Sequence, residues 1–263
     1  MTLTPFDIFQ SVPSQLTKSQ EEALARMSNI IEISGLGILS GEIGSGKSTV
    51  LRALSSSLPS SKFTVIYICI ANLVPRTLYS QLVEGLGEQP KYGLQKMKQQ
   101  WQSLLENELM DGKKVVLLID EAHDMPGHTL LELRFLLNHK MDTAPCLSLI
   151  LSGQPHLRSS LRLKALEAIS QRVKMQYHVT GMTLDETALY IKSKLAEASL
   201  QQPLFGESAV KIIFDSTQGI PRVVDQVCRY AFHAAVKNGD QVIEEKHIVA
   251  VLADMDRQRG AKI

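Results

Sequence analysis

The sequence predicts an α/β fold with a five-stranded parallel sheet, followed by a small all-helical domain. Three observations support this prediction. Apolar segments with the length of buried strands alternate with helical patterns, which is typical of a parallel sheet with helices on both faces. The first such strand runs directly into a glycine-rich loop and then a helix. After Val179 the strand patterns stop, and only helical patterns continue.

The bulk composition argues against several classes of protein. The 263 residues carry 28 Lys and Arg against 27 Asp and Glu, so a nucleic acid or an anionic membrane would have to bind a local patch. The three cysteines, Cys69, Cys146 and Cys228, lie far apart without CxxC spacing, which disfavours a disulfide framework and a zinc site. We find no signal-peptide pattern, and no apolar run of the ~18 residues that a membrane span needs. We therefore expect a cytoplasmic protein without a membrane span.

The elements of the first domain follow in chain order. Apolar residues at helical spacing predict a helix from about Lys18 to Ile33. The predicted strands are GLGILSG at 35–41, KFTVIYICI at 62–70, KVVLLIDEAH at 114–123, CLSLILSG at 146–153 and a weaker KMQYHV at 174–179. The predicted helices between them lie at 76–86, 94–110 and 128–141.

The second domain is predicted to be helical throughout. The sequence TLDE, Thr183 to Glu186, has the pattern of a capping box that opens a helix reaching about Ala198. The further predicted helices lie at 207–217, 222–237 and 244–255. The expected domains are residues 1–179, which include the N-terminal helix, and residues 180–263.

A phosphate-binding loop is the strongest motif of the chain. The run GEIGSGKS satisfies the pattern G-x-x-x-x-G-K-[ST] and lies between an apolar strand and a helix, which is the context that a phosphate loop requires. Its glycines let backbone N–H groups point inward, Lys47 reaches the β and γ phosphates, and the Ser48 hydroxyl can ligate Mg²⁺. ATP and Mg²⁺ are the expected cofactors. The residues predicted to contact the nucleotide are Gly41, Glu42, Ile43, Gly44, Ser45, Gly46, Lys47, Ser48 and Thr49, together with Asp120.

An acidic pair ends the third strand, in VVLLIDEAH. Asp120 is predicted to hold the Mg²⁺ shell, and Glu121 to act as the general base on the water that attacks the γ-phosphate. The alternative for the pair alone is a solvated strand end. Because the strand at 62–70 separates the two motifs, we expect the strands that bear them not to be adjacent. That arrangement belongs to ATPases with an extra strand between the motifs, and it disfavours small-molecule kinases and Ras-like GTPases.

Polar and cationic residues further along the chain are candidates for sensing the nucleotide. Gln154, at the end of the fourth strand, is the first candidate for positioning the attacking water, and Ser152 is the second; the alternative is a simple polar turn. Pro221 suits the first position of a helix, so Arg222 in GIPRVVDQV would point towards the phosphates. Arg172, or failing that Arg162, would enter the nucleotide site of a neighbouring subunit. The alternative for all three arginines is a solvated surface position.

Taken in order, these motifs resemble one family. The series GEIGSGKST, VVLLIDEAHDM, LILSGQPHLR, ISQRV and GIPRVVDQVCRYAF resembles the AAA+ ATPases of the ExeA/GspA and TniB/TnsC grouping. The resemblance implies a P-loop AAA+ domain with a helical lid, in which G-x-P-R is the sensor-2 motif, and a homo-oligomer, either a ring or a filament. ExeA-like proteins typically continue into a membrane helix and a peptidoglycan-binding domain. Since this chain ends at Ile263 with neither, we expect the transposon-encoded branch, which is similar to TniB and TnsC.

That branch implies double-stranded DNA and a transposase as partners. Lys91, Lys96 and Lys98 lie in a stretch without acidic residues and are candidates for contacts with DNA phosphates. Arg76 is expected at the same end of the sheet. The alternative is a solvated helix with Trp101 packed inward. We therefore expect an ATP-dependent regulator of transposition target selection that contacts DNA phosphates with little sequence preference. The alternatives are an ExeA-like ATPase of secretion or pilus assembly, and a helicase-loader-like ATPase.

Overall fold

The computed structural model describes residues 9, 15–138, 147–197 and 204–258. Its contacts divide the chain into two compact units. The α/β unit consists of Gln20–Ile43 and Lys47–Val179. The helical unit consists of Thr180–Ile263 together with Gly44–Gly46 and the segment that ends at Ser19, as far as these residues are described. Cys146 and the last residues of the helix predicted at 128–141 lie outside the described residues.

A parallel sheet forms the centre of the α/β unit. Within the described residues it has five strands, all parallel, in the order β2-β3-β4-β1-β5. The predicted fold class is thereby confirmed. The strands are β1 at Leu36–Gly41, β2 at Phe63–Ile68, β3 at Lys114–Ile119, β4 at Leu147–Gly153 and β5 at Val173–Val179.

β1, which precedes the phosphate loop, and β3, which precedes Asp120, are not adjacent in the sheet, as predicted. The strand between them in the sequence is β2, but the strand between them in the sheet is β4. β4 lies between β1 and β3, and β2 lies at the edge of the sheet beside β3. In the register, Ser40 on β1 pairs with Gly153 on β4, and Leu151 on β4 pairs with Ile119 on β3. Because parallel strands end at the same edge, the carboxyl ends of β1, β4 and β3 meet there.

Helices cover both faces of this sheet. The longer ones are α1 at Lys18–Glu32, α2 at Lys47–Ser57, α3 at Pro75–Gly85, α4 at Leu94–Met110 and α5 at Gly127–Leu137. The sequence analysis did not predict several shorter pieces. A 3₁₀ turn at Ala122–Asp124 follows β3, and after β4 come α6 at His156–Leu161, a 3₁₀ turn at Lys164–Leu166 and α7 at Glu167–Ser170.

The two faces have separate apolar cores because side chains alternate along each strand. On one face, Val116 and Leu118 of β3 belong to a cluster with buried residues of α1 and α2, such as Met27 and Leu51. On the other face, Leu117 joins a cluster formed with α3, α4 and α5. Trp101 lies in this second cluster and is 2% exposed, which is the packing that the sequence analysis gave as the alternative to a role in DNA binding.

The helical unit has a core of its own. Its helices are α8 at Leu184–Glu197, α9 at Glu207–Thr217, α10 at Pro221–Asn238 and α11 at Glu245–Gln258. The Thr183 N–H donates to Glu186 Oε2 at 2.9 Å and the Glu186 N–H donates to Thr183 Oγ1 at 3.3 Å, which is the predicted capping box. Phe9 packs edge-on against Phe205 in this core, with ring centroids 6.4 Å apart. None of the helices in the described part of the chain is long and apolar enough to cross a membrane.

Candidate active site

The phosphate loop connects β1 to α2 with a backbone that requires glycine. Gly44 and Gly46 have φ values of 86° and 95°, in the left-handed region that disfavours residues with a Cβ. The N-terminus of α2, at Lys47, presents backbone N–H groups that favour an anion. The Lys47 ammonium donates to the carbonyl oxygens of Gly41 at 2.9 Å and Glu42 at 3.1 Å, and the side chain is buried. The N–H groups and the ammonium are both donors that suit a phosphate ligand.

Asp120, directly after β3, is the residue on which the site converges. Its Oδ2 accepts hydrogen bonds from Ser48 Oγ at 2.7 Å and from Tyr67 Oη at 3.2 Å. Its Oδ1 accepts from Ser152 Oγ at 2.7 Å and from the Glu121 N–H at 3.0 Å. The carboxylate is 2% exposed, so these donors replace water. Since Ser48 and Asp120 bring hard oxygen atoms together, they fit a Mg²⁺ ion.

Tyr67 is a member of the site that the sequence analysis missed. It lies near the carboxyl end of β2, the strand next to β3, and its hydroxyl reaches Asp120 across the two strands. Burial of the hydroxyl, and then the neighbouring Asp120 carboxylate, raise the pKa of Tyr67 above its ordinary value. The hydroxyl therefore stays protonated and acts as a donor. The available signal was a polar side chain close to the end of an apolar strand.

Glu121 occupies an unusual backbone conformation beside Asp120. Its φ of 53° and ψ of 33° place a residue other than glycine in the left-handed region, at a cost of roughly 1–2 kcal/mol. The side chain is 44% exposed, and its Oε2 lies 3.3 Å from Nδ1 of His123. A carboxylate that is accessible next to the buried Asp120 is well placed to take a proton from water.

The two candidate sensor residues occupy different places. Ser152 is fully buried and donates to Asp120 directly. Gln154 lies one residue beyond the end of β4, and its side-chain nitrogen is 2.8 Å from Nε2 of His123. Gln154 therefore connects to Glu121 through His123, a residue that the sequence analysis did not single out.

Comparisons with known proteins find a matching family and solved structures of similar fold. Residues 32–161 match a family described as an AAA domain. Cdc6p from Pyrobaculum aerophilum has a TM-score of 0.67 and 17% identity, over 92% of this chain and 69% of that chain. Drosophila ORC bound to DNA has a TM-score of 0.68 and 20% identity, over 95% and 65%. The RuvB Holliday junction branch migration motor of Thermotoga maritima has a TM-score of 0.56 and 17% identity, over 90% and 70%.

The α/β unit has the fold of a P-loop AAA+ ATPase domain.

A curated protein extends the match beyond this domain. General secretion pathway protein A of Aeromonas hydrophila is 32% identical over 245 residues, which cover 91% of this chain and 44% of that protein. The chain thus spans less than half the length of this relative. The family match at residues 32–161 includes the phosphate loop and Asp120.

The three predicted arginines lie at different places along the chain's helices and strands. Arg222 is exposed in the first turn of α10, and its backbone N–H donates to the Gly44 carbonyl at 3.3 Å; both residues belong to the helical unit. Arg172 is partly buried immediately before β5. Arg162 is exposed at the end of α6. Their roles in sensing or in a neighbouring site stay predictions.

Three of the four predicted DNA-contact residues share one exposed surface of the AAA+ domain. Lys91 and Lys96 line a groove of about 590 Å³, where the side chain of Gln100 accepts from the Lys91 N–H at 2.9 Å. The Arg76 guanidinium lies 5.8 Å from the ring centroid of the exposed Tyr92.

Lys98 occupies a different environment from the other three. Its ammonium is paired with the Glu132 carboxylate at 2.7 Å, and it lies 5.3 Å from the ring centroid of Tyr79. Residues two apart on a helix point in nearly opposite directions, so Lys96 and Lys98 cannot share a face of α4. The pairing with Glu132 removes Lys98 from the set that the structure favours for phosphate contacts.

Proposed function

We propose that the chain binds ATP with Mg²⁺ at the carboxyl end of β1 and hydrolyses it with Glu121 as the general base. The observation that carries this proposal is the convergence on Asp120. Ser48 from α2 and Ser152 from β4 each donate to one of its carboxylate oxygens at 2.7 Å. Elements separated along the chain thereby hold one buried carboxylate next to the phosphate loop.

Each residue has a separate task in this proposal. The N–H groups at the start of α2 and the Lys47 ammonium bind the phosphates. Ser48 and Asp120 hold Mg²⁺, which neutralises charge on the phosphates. Glu121 accepts onto its carboxylate the proton of the water that attacks the γ-phosphate. Gln154 orients that water.

The first experiment separates nucleotide binding from hydrolysis. Glu121→Gln should bind ATP as the wild type does but lose about 10²-fold or more in kcat, since it lacks the base. Asp124→Asn is the matched control, because Asp124 is an exposed carboxylate in the same 3₁₀ turn and should leave kcat unchanged. Phosphate release and fluorescent-nucleotide titration measure the two quantities. Near-normal turnover by Glu121→Gln would remove Glu121 as the base.

We also propose that hydrolysis occurs in a homo-oligomer, with Arg172 of one subunit entering the site of the next. In that case kcat per subunit should rise with protein concentration, and Arg172→Ala should abolish the rise while leaving the slow rate of dilute protein unchanged. A matched Arg162→Ala variant tests the second candidate. A lower rate in dilute Arg172→Ala protein would contradict a role between subunits.

For the client of this ATPase, we propose a secretion system. The support is the 32% identity to general secretion pathway protein A over 91% of this chain. This similarity favours the secretion branch over the transposon-encoded branch, which the sequence analysis placed first. Because subunits would mix in an oligomer, Glu121→Gln expressed beside the wild type should reduce export of secreted proteins. Unchanged export would count against the secretion client.

A second candidate is assembly on DNA, including control of transposition with a transposase as partner. The observation that favours it is the exposed cationic surface with Arg76, Lys91 and Lys96. Duplex DNA should bind at low salt with an ATP analogue present, and the triple alanine variant at these residues should lose binding and reduce the salt slope by about 3. Lys98→Ala, whose charge is already paired, is the control and should bind normally. If wild-type protein binds no DNA, this candidate is excluded.

A further inference from the structure

A groove crosses the face of the AAA+ domain that α3, α4 and α5 form, and its volume is about 200 Å³. Its floor is apolar, because Trp101 and Leu105 of α4 and Leu136 of α5 line it and are each no more than 3% exposed. Pockets for cofactors and drug-sized ligands begin at about 300 Å³. The groove therefore has the size for one large apolar side chain, and it is too small for a nucleotide or a cofactor.

The rim of the groove carries four carboxamide side chains. They belong to Gln95, Gln99 and Gln102 of α4 and to Asn138, directly after α5. Within the described part of the chain, none of these four side chains makes a hydrogen bond. Each carboxamide offers a donor and an acceptor, as a peptide group does. From Gln95 to Gln102 the helix rises about 10 Å, which matches about three residues of an extended chain.

The unpaired charge beside the groove is positive. Lys98 lines the groove, but the Glu132 carboxylate lies 2.7 Å from its ammonium and neutralises it. The Arg134 guanidinium lies 4.8 Å from the ring centroid of Phe135, a groove residue that is 55% exposed. No carboxylate among the described residues is within ion-pair distance of Arg134. Stacking on a ring leaves the N–H donors of a guanidinium available for a carboxylate.

We propose that this groove binds an extended, acidic segment of a partner protein. One large apolar side chain of the segment enters the groove above Trp101, a neighbouring Asp or Glu pairs with Arg134, and the carboxamides pair with the backbone of the segment. A buried anchor inside a polar rim is the arrangement that carries most of the affinity of protein interfaces. Duplex DNA fits less well, since its phosphates require several cations and this rim is mostly neutral. The inference goes beyond the proposed function, because it depends neither on Glu121 nor on ATP hydrolysis.

The binding test uses Trp101 as the reporter, because it is the single tryptophan of the chain. Capped pentapeptides with Leu, Met or Phe at the centre and Asp or Glu at the other positions are titrated into the full chain, and tryptophan emission is recorded. We expect at least one of them to shift the emission with a Kd of about 0.1–1 mM, and its counterpart with Asn or Gln at those positions to bind about tenfold more weakly. If no acidic peptide shifts the emission, the inference is overturned. It is equally overturned if duplex DNA shifts the emission and the peptides do not.

Three variants test where the peptide binds. Phe135→Ala removes an exposed wall of the groove and should weaken binding of the acidic peptide about tenfold or more. Arg134→Gln should bind the acidic peptide and its neutral counterpart equally well. Lys96→Gln is the matched control, because it removes one charge from α4 outside this groove and should bind the acidic peptide as the wild type does.

The control also separates a specific contact from general attraction. An equal loss of affinity in Lys96→Gln and Arg134→Gln would mean that the charge of the whole surface attracts the peptide, and unchanged binding by Phe135→Ala would place the peptide elsewhere. Either result would overturn the inference. Normal turnover of Glu121→Gln would instead remove the proposed base and leave the peptide result standing.

Discussion

Ser152→Ala tests how strongly the sheet holds the Asp120 carboxylate. Ser152 is fully buried in β4, and its hydroxyl donates to Asp120 Oδ1 at 2.7 Å. Hydrogen bonds to charged groups contribute about 1.5–3 kcal/mol, and the alanine variant leaves Oδ1 with only the Glu121 N–H among its described donors. For a protein of this size, about 2 kcal/mol corresponds to a fall in Tm of about 4–8 °C.

The chain offers a closely matched control for this substitution. Ser148 lies on the same strand, is equally buried, and donates to the carbonyl oxygen of Ile31 at 3.1 Å. Because that acceptor is neutral, Ser148→Ala should cost about 0.5–1.5 kcal/mol. Tyr67→Phe removes a longer bond at a half-exposed residue, where water can replace it, and should cost less than Ser152→Ala.

Thermal unfolding of the nucleotide-free variants gives the order of stabilities, and phosphate release gives the effect on the site. We expect Ser152→Ala to lower both Tm and ATP turnover, and Ser148→Ala to lower Tm alone. If Ser148→Ala destabilises as much as Ser152→Ala, the charge of Asp120 adds nothing to the bond. If turnover survives intact in Ser152→Ala, Asp120 does not depend on this donor.

Two further predictions concern the helical unit and the phosphate loop. Burial raises the pKa of Asp225 to about 6 from its ordinary 3.8, against the opposing effects of Lys194, Tyr190 and Arg229. As pH rises, Asp225 loses its proton at a lower pH in the unfolded chain than in the folded protein. The free energy of unfolding should therefore fall by about 3 kcal/mol between about pH 4 and above pH 6. Asp225→Asn should lack this part of the fall. Denaturant titrations over this range measure it, and parallel curves for both proteins would contradict it. Gly44→Ala should weaken ATP binding by about tenfold or more, since φ is 86° and the new Cβ would lie 2.7 Å from Arg222 Cβ. Gly112→Ala is the control, because Gly112 has a φ of 75° but no described atom lies within 4 Å of the new Cβ, so only backbone strain is added. Equal ATP affinity in Gly44→Ala and the wild type would refute the expectation.

Local features of the site were predictable from sequence. The glycines, Lys47 and Ser48 act within one short segment, so their order along the chain determines their relation. The strands were predicted because buried parallel strands require continuous apolar runs, such as the one that precedes Asp120. The sequence analysis did not use the spacing of residues around a helix. Lys96 and Lys98 are two residues apart in a predicted helix, so the sequence already indicates that they point in different directions.

Pairings between distant elements depended on the tertiary structure. The sequence alone placed Ser152 and Gln154 at one strand end, but only the insertion of β4 beside β3 brings Ser152 to Asp120. Likewise, only the packing of α4 against its neighbours gives Lys98 its partner Glu132. Apolar periodicity determines which face of an element is buried, whereas the choice of neighbour depends on how all the buried faces pack at once. That is why the sequence by itself determined the fold class and the phosphate loop, and the tertiary structure decided which side chains surround the acidic pair.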